Sequence, residues 1–540
     1  MNNLKRQLKI KKAIVMEIRA SVKSDFHKIA ILLTLLFSLC KLSFGKTPNQ
    51  YSNPVIKGDF PDPSIIRVGN TYYAAGTSFD FAPNYPIYES KDLVNWKQIG
   101  AVFQDPPQWA SDNFWAPELY YEDGVFYVYY TSKRKDNRVA CIGVATTKDI
   151  RQGFTDHGII IEWGEEAIDA FVFKDDDGKR YICWKAYGLT KGREIEILAS
   201  ELSADGLHLA GEPFTLTDHT KGWKGAGDEG PCLMKHNGFY YLFYSIGGCC
   251  DNKCDYRVMV ARSKNLKNGW EQFPGNPILE GGSVWKCSGH GTLVDTPDKR
   301  YFYLYHAYNG VDFEYIGRQG MLDEVVWNNE TGWPYFKSGK NPSVISEVPF
   351  KNSIQTNESI WEDDFSTNKN LDFWEWDVNS LKPLIKMDKG CLIIENKQRE
   401  TTFVGLRPQS GDYDLTTQIL PNQGLSGIGV YSNQQNQLAW VVSESELQLY
   451  KVNKGVKEIL FKQGIKTNKS VFLKYKAQQG RLFRFYWSEN GREWQPVALR
   501  ESEVVDGSFV AQWGYSPRVG LIVDKNTEAP YAKITVKYHL

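Results

Sequence analysis

The sequence predicts an all-β chain, and three observations predict it. Aromatic residues make up 14% of the 540 residues (30 Tyr, 28 Phe and 17 Trp), and aromatic side chains favour strands over helices. One hairpin-like outline recurs five times between residues 61 and 307. Beyond residue 350 the apolar runs stay short and no helical period persists. The length implies two or three domains, and 42% hydrophobic residues exclude a disordered chain. With 64 basic and 64 acidic residues the formal net charge is zero, which argues against a nucleic-acid partner.

The first element is an export segment. Residues 29–40, IAILLTLLFSLC, are apolar but too few to span a bilayer, and they suit the core of a signal peptide. Lys23 and Lys28 supply a basic flank, and Ser43-Phe44-Gly45 places cleavage after Gly45. Residues 1–45 therefore read as a signal peptide, with Met16 as a second candidate start. Leu39 sits where lipidation of Cys40 needs a small residue. The expectation is a periplasmic or extracellular protein with no membrane span. In that compartment the clustered Cys249, Cys250, Cys254 and Cys287 read as disulfides or buried thiols, with the pairing open, because CCDNKC lacks the paired spacing of a zinc site.

The five repeats follow. They are PDPSIIRVGNTYYAAGT (61–77), APELYYEDGVFYVYYT (116–131), IDAFVFKDDDGKRYICWK (168–185), DEGPCLMKHNGFYYLFYS (228–245) and GHGTLVDTPDKRYFYLYHA (289–307). Each joins two apolar runs through turn chemistry such as Gly69-Asn70, Asp123-Gly124 or Asn237-Gly238. Their leading polar residues are Asp62, Glu118, Asp169, Glu229 and His290, at intervals of 56, 51, 60 and 61 residues. Fifty to sixty residues with about four strands make one propeller blade, so residues 53–350 read as a five-bladed β-propeller. The leading residues would then converge on one axial pocket. Any one of them alone suits a solvated turn, whereas five in phase do not.

Carboxylates converging without a cofactor motif suit glycosidic bond cleavage. One carboxylate activates water, and another gives its proton to the leaving oxygen. A third carboxylate nearby is expected to raise the pKa of that acid. Trp115 is either a sugar-stacking platform or blade packing. Glu118 reads as a supporting residue, Asp59 as a turn residue, and Asp175-Asp176-Asp177 as a solvated hairpin turn rather than a calcium loop.

In order and spacing, NPVIKGDFPDPSI (53–65), NFWAPEL (113–119), IDAFVF (168–173), DEGPCL (228–233), GRQGMLDEVVW (317–327) and GWP (332–334) resemble glycoside hydrolase family 43. The resemblance implies β-xylosidase or α-L-arabinofuranosidase activity by an inverting mechanism. It implies Asp62 as general base, Glu229 as general acid and Asp169 as the carboxylate that tunes the acid. Arg318 matches a substrate-contacting Arg. His290 matches a channel His beside a calcium or an ordered water, so a structural calcium reached through water is one expectation, with no cofactor required. Gly230 stands where many members have Ala.

After a polar linker, residues 359–540 show strands such as CLIIEN (391–396), LAWVVSE (438–444) and FRFYWS (483–488), and read as a β-sandwich. The opening WEDDFSTNKNLDFWEW (361–376) resembles the concanavalin-like sandwich that follows the propeller in many family members and packs against it. The whole reads as an exo-acting glycosidase releasing xylose or L-arabinofuranose from arabinoxylan, arabinan or xylo-oligosaccharides. An endo-arabinanase of the same family and a non-catalytic sugar-binding propeller are the alternatives. Retaining fructan hydrolases want an NDPNG-like motif where this chain has PDPSI.

Overall fold

A computed structural model describes residues 49–187, 195–217, 227–397, 399–499, 502–525 and 527–539. The export segment 1–45 lies outside the described residues. Among them, five four-stranded antiparallel units follow one another along the chain as the blades of a propeller; units one, four and five are separate sheets, and units two and three are joined into one eight-stranded sheet by a parallel pairing of Glu166 with Ala140. Blade one comprises Ser64–Val68, Thr71–Ala75, Asn84–Ser90 and Lys97–Phe103. Blade two comprises Trp115–Glu122, Val125–Lys133, Ala140–Thr147 and Thr155–Ile161. Blade three comprises Glu166–Lys174, Arg180–Tyr187, Glu196–Leu202 and Phe214–Thr215. Blade four comprises Glu229–His236, Phe239–Ile246, Arg257–Ser263 and Glu271–Gln272. Blade five comprises Trp285–Asp295, Tyr301–Asn309, Arg318–Trp327 and Pro334–Phe336.

The turn chemistry explains the inner hairpins. Asp123 and Gly124 both take positive φ, as do Asn237 and Gly238, which is the backbone a two-residue hairpin turn requires. The aromatic runs then fill the wedges between blades. Phe126, Tyr130 and Phe114 pack with Tyr73 and Tyr85 between blades one and two. Tyr303 and Tyr305 pack with Phe243 and Tyr241 between blades four and five. Blade five closes on blade one through Val294, Phe302 and Leu304 against Ile65 and Tyr72. Across the same seam the Ile65 amide donates to Thr292 Oγ1 at 2.8 Å, and Arg67 pairs with Asp295 at 2.6 Å.

The sandwich stacks two antiparallel sheets. One runs in the order Leu384–Asp388, Cys391–Asn396, Thr527–Tyr538, Tyr413–Ile419, Val471–Gln478, Leu482–Ser488. The other runs Thr402–Leu406, Arg518–Val523, Ser426–Asn433, Asn436–Val442, Glu446–Asn453, Val456–Gly464. Alternating burial along Tyr413–Ile419 and Val471–Gln478 shows the core-facing period of two.

The sandwich docks on the propeller through backbone, core and charge together. Trp376 and Asp377 pair as a short strand with Ala82 and Phe81 of blade one. Phe81 enters a sandwich core with Phe403, Tyr431 and Tyr450. Beside it, Arg518 contacts Asp59 at 3.2 Å and Glu375 at 2.5 Å, and Arg407 contacts Glu375 at 2.6 Å. Asp59, expected as a turn residue, is fully buried in this cluster, because the sandwich covers a face that the propeller alone would leave to solvent.

Candidate active site

The leading residues of the blades are aimed by backbone irregularities. Register breaks fall between Ile168 and Phe171, Glu229 and Cys232, and Gly289 and Thr292, so each inner strand bulges where its leading residue sits. Asp62, Asp169, Gly230 and His290 take φ of 51°, 59°, 57° and 42°. Left-handed backbone at non-glycine residues costs on the order of 1–3 kcal/mol, and such strain concentrates at sites where a side chain is re-aimed for function. Gly230 is explained by its neighbours: a Cβ there would lie 2.7 Å from the His290 ring.

These side chains line one pocket that opens to solvent. Asp62, Asp169, Glu229, His290, Arg318 and Trp115 all face it, so the structure brings together every residue singled out from sequence for catalysis or substrate contact. Phe79, Glu166, Ile168, Lys185, Cys249, Cys250 and Trp513 complete the wall. Trp513 comes from the sandwich and is 62% exposed at the rim. Glu118 is not among the lining residues. It accepts from the Ser64 hydroxyl at 2.6 Å and from the Val172 amide at 3.3 Å, tying three blades together, and burial pushes its carboxyl up to about 8.

The three central carboxyls sit in three different electrostatic states. Asp62 Oδ1 accepts from Arg318 at 2.8 Å, and Oδ2 accepts from Thr77 at 2.7 Å. Burial alone would raise its pKa, but the Arg318 guanidinium, helped by His290 and His306, holds it well below the usual carboxylate range. The His306 Nδ1 accepts the Asp62 amide at 3.1 Å while the ring stacks on Tyr256. Burial and then Arg318 lower His306 to about 4, so its ring is neutral at pH 7.

Asp169 is the reverse case. It accepts from the Gly230 amide at 3.1 Å, with His290 Nδ1 at 3.8 Å. Burial, reinforced by the Glu229 charge and opposed by His290, raises it to about 7. Glu229 was expected to carry the raised pKa, and the structure reverses this. Its burial is overcome by Lys185, 2.9 Å from Oε2, and by the Tyr256 hydroxyl, which donates to Oε1 at 2.7 Å. Lys185 also lies 3.4 Å from Glu166. Asp169 is thus raised and Glu229 lowered, and the one proton belongs to the interacting pair, which titrates as a unit.

Sequence reasoning missed Lys185, Tyr256, Thr77 and His306. Thr77 and Lys185 each end a quoted repeat and His306 stands one residue before the end of another, on or just after the strand beside the inner one, a phase that could have marked them. No local signal separates Tyr256 from blade packing. Trp115 lies at the pocket with Lys133 Nζ 5.3 Å from its ring centre, so it is available to ligand as well as to packing. Asp175 is held by Lys235 and the Tyr240 hydroxyl, while Asp176 and Asp177 are exposed in the hairpin turn.

Among the described residues no three His, Cys, Asp or Glu side chains converge as metal ligands. The carboxylates nearest His290 are engaged by Arg318, Thr77 and Gly230, and do not form the cage of roughly six to eight oxygens that calcium takes. The clustered cysteines pair as Cys249–Cys250 and Cys254–Cys287.

Comparison with known proteins gives a consistent picture. The family model described as glycosyl hydrolases family 43 matches residues 51–334, more than half of the chain. A xylan 1,3-β-xylosidase of a Vibrio species is 32% identical over 329 residues, spanning 55% of this chain and 59% of that protein, under two thirds of its length. A xylosidase/arabinosidase of Butyrivibrio fibrisolvens is 27% identical over 444 residues, spanning 75% of this chain and 82% of that protein. The solved structure of a xylan β-1,4-xylosidase from Bacillus halodurans covers 90% of this chain and 99% of its own, with a TM-score of 0.77 at 23% identity, which shows a shared fold.

Proposed function

The chain belongs to glycosyl hydrolases family 43, and on that premise we propose that it is an exo-acting, inverting glycosidase releasing xylose or L-arabinofuranose from polysaccharide side chains or oligosaccharides. The observation that carries the reading is the division of labour among three buried carboxyls in one pocket. Asp62, held ionised by Arg318, is the base that takes a proton from the attacking water. The Asp169–Glu229 pair holds one proton up to about pH 7, and Glu229 delivers it to the departing oxygen. Lys185 and Tyr256 then stabilise the Glu229 carboxylate that is left. Arg318 and Trp115 contact the sugar.

The names of the Vibrio and Butyrivibrio relatives support pentosides as the substrate class. Trp513 supports chain-end cleavage, because the sandwich walls one side of the pocket where an endo-acting enzyme needs an open groove. The apolar segment 29–40 supports export. A calcium reached through water at His290 is assigned no step. Proton NMR of the first-formed sugar tests the mechanism: the inverted anomer is expected, and the retained anomer contradicts it.

A further inference from the structure

Two neighbouring cysteines bonded to each other, Cys249 and Cys250, face the sugar pocket. The loop that carries them begins after Ser245, the register partner of Glu229, and ends at Tyr256, whose hydroxyl donates to Glu229. Both ends of the loop thus meet the proposed acid, which places the disulfide on the side where the leaving group departs. The loop is anchored three more times. Cys254 is bonded to Cys287 on the inner strand of blade five, the Gly248 amide donates to Asp255 Oδ1 at 2.8 Å, and the Gly514 amide donates to the Cys250 carbonyl at 3.0 Å. Gly514 follows Trp513, so the disulfide and the exposed indole stand on joined segments of the same wall.

The Cys249–Cys250 bond closes over a sequence separation of one residue, so it removes almost no loop entropy from the unfolded chain. Cys254–Cys287 already staples the loop, with a separation of 33. What the adjacent pair supplies is surface: two polarizable sulfurs without strong hydrogen-bonding groups, in a wall that also carries the charged Glu166, Lys185 and Glu229 and the apolar Phe79, Trp115 and Ile168. A sugar ring offers the matching shape, a C–H face for the sulfurs and the indole, and hydroxyls for the charged groups. We infer that Cys249–Cys250, with Trp513, is the platform that holds the sugar on the leaving-group side of the scissile bond. It selects glycosidic leaving groups over small ones. The inference rests on the glycosidase reading and extends it to the second sugar.

The test compares kcat/KM for an unsubstituted pentobiose with kcat/KM for the matching pentosyl fluoride, which has no second sugar. In the double variant Cys249→Ser, Cys250→Ser the disaccharide-to-fluoride ratio should fall at least tenfold, with most of the loss in KM for the disaccharide. A ratio within twofold of the parent overturns the inference. Trp513→Ala, a change on an exposed rim residue, is the second variant should the first not fold, and the same two outcomes apply. If the parent enzyme cleaves neither substrate, the glycosidase reading itself has failed; if it cleaves both and the ratio does not move, only the platform has.

Discussion

Asp59 and Asp62 stand three residues apart, both buried, and the clusters they join differ in one respect. At the domain interface two carboxylates, Asp59 and Glu375, face two guanidinium groups, Arg407 and Arg518. In the pocket four carboxyls, Asp62, Glu166, Asp169 and Glu229, share Arg318 and Lys185 as permanent cations. Balanced charge gives a fixed joint. In the pocket, burial of Asp169 beside the Glu229 charge, with too few cations to offset it, leaves the pair holding a proton to about pH 7, and a buried site with a transferable proton can do acid–base chemistry.

The contrast can be broken from either side. Asp62→Ala removes the base and should cost activity on every substrate, on the order of 10³-fold or more, while the protein stays folded. Initial rates on a pentobiose and on an aryl pentoside check it, and substantial turnover on either contradicts the assignment. Glu375→Gln attacks the joint instead. It leaves two buried guanidinium groups facing one carboxylate, and removing one partner of a buried pair costs about 3–5 kcal/mol. Denaturant unfolding should show that loss, and a change below about 1 kcal/mol would mean the cluster does not hold the domains.

Smaller effects sharpen the electrostatics. Lys185 holds Glu229 ionised, so Lys185→Met raises the affinity of the pair for its proton. The alkaline limb of kcat/KM, expected near pH 7 from Asp169, should then move upward by roughly one unit or more. The sign follows from the acid role: losing a cation favours the protonated pair, so activity persists to higher pH. An unmoved or lowered limb contradicts it. Smallest of all, EDTA should leave turnover unchanged, because no step assigned to Asp62, Asp169 or Glu229 runs through a metal; loss of activity restored by calcium would contradict this.

Much of this was legible in the chain. Hairpins at Asp123-Gly124 and Asn237-Gly238 follow from local turn chemistry, and five repeats in phase place Asp62, Asp169 and Glu229 on one axis. What stayed hidden depends on distant partners. Asp59 reads as a turn residue until Arg518, 459 positions away, covers it. The Glu229 pKa reads as raised until Lys185 arrives from the neighbouring blade. The roles of Cys250 and Trp513 depend on a loop of one domain reaching the pocket of the other. Period and turn signals are local, whereas charge balance is a property of the folded whole.

The central claim is that Glu229 donates the proton to the leaving group. It is tested most directly by kcat/KM of Glu229→Ala on a pentobiose and on a dinitrophenyl pentoside, whose leaving group needs no proton. A loss of at least about 10³-fold on the first with at most about tenfold on the second is the predicted result. Equal losses on both would contradict it.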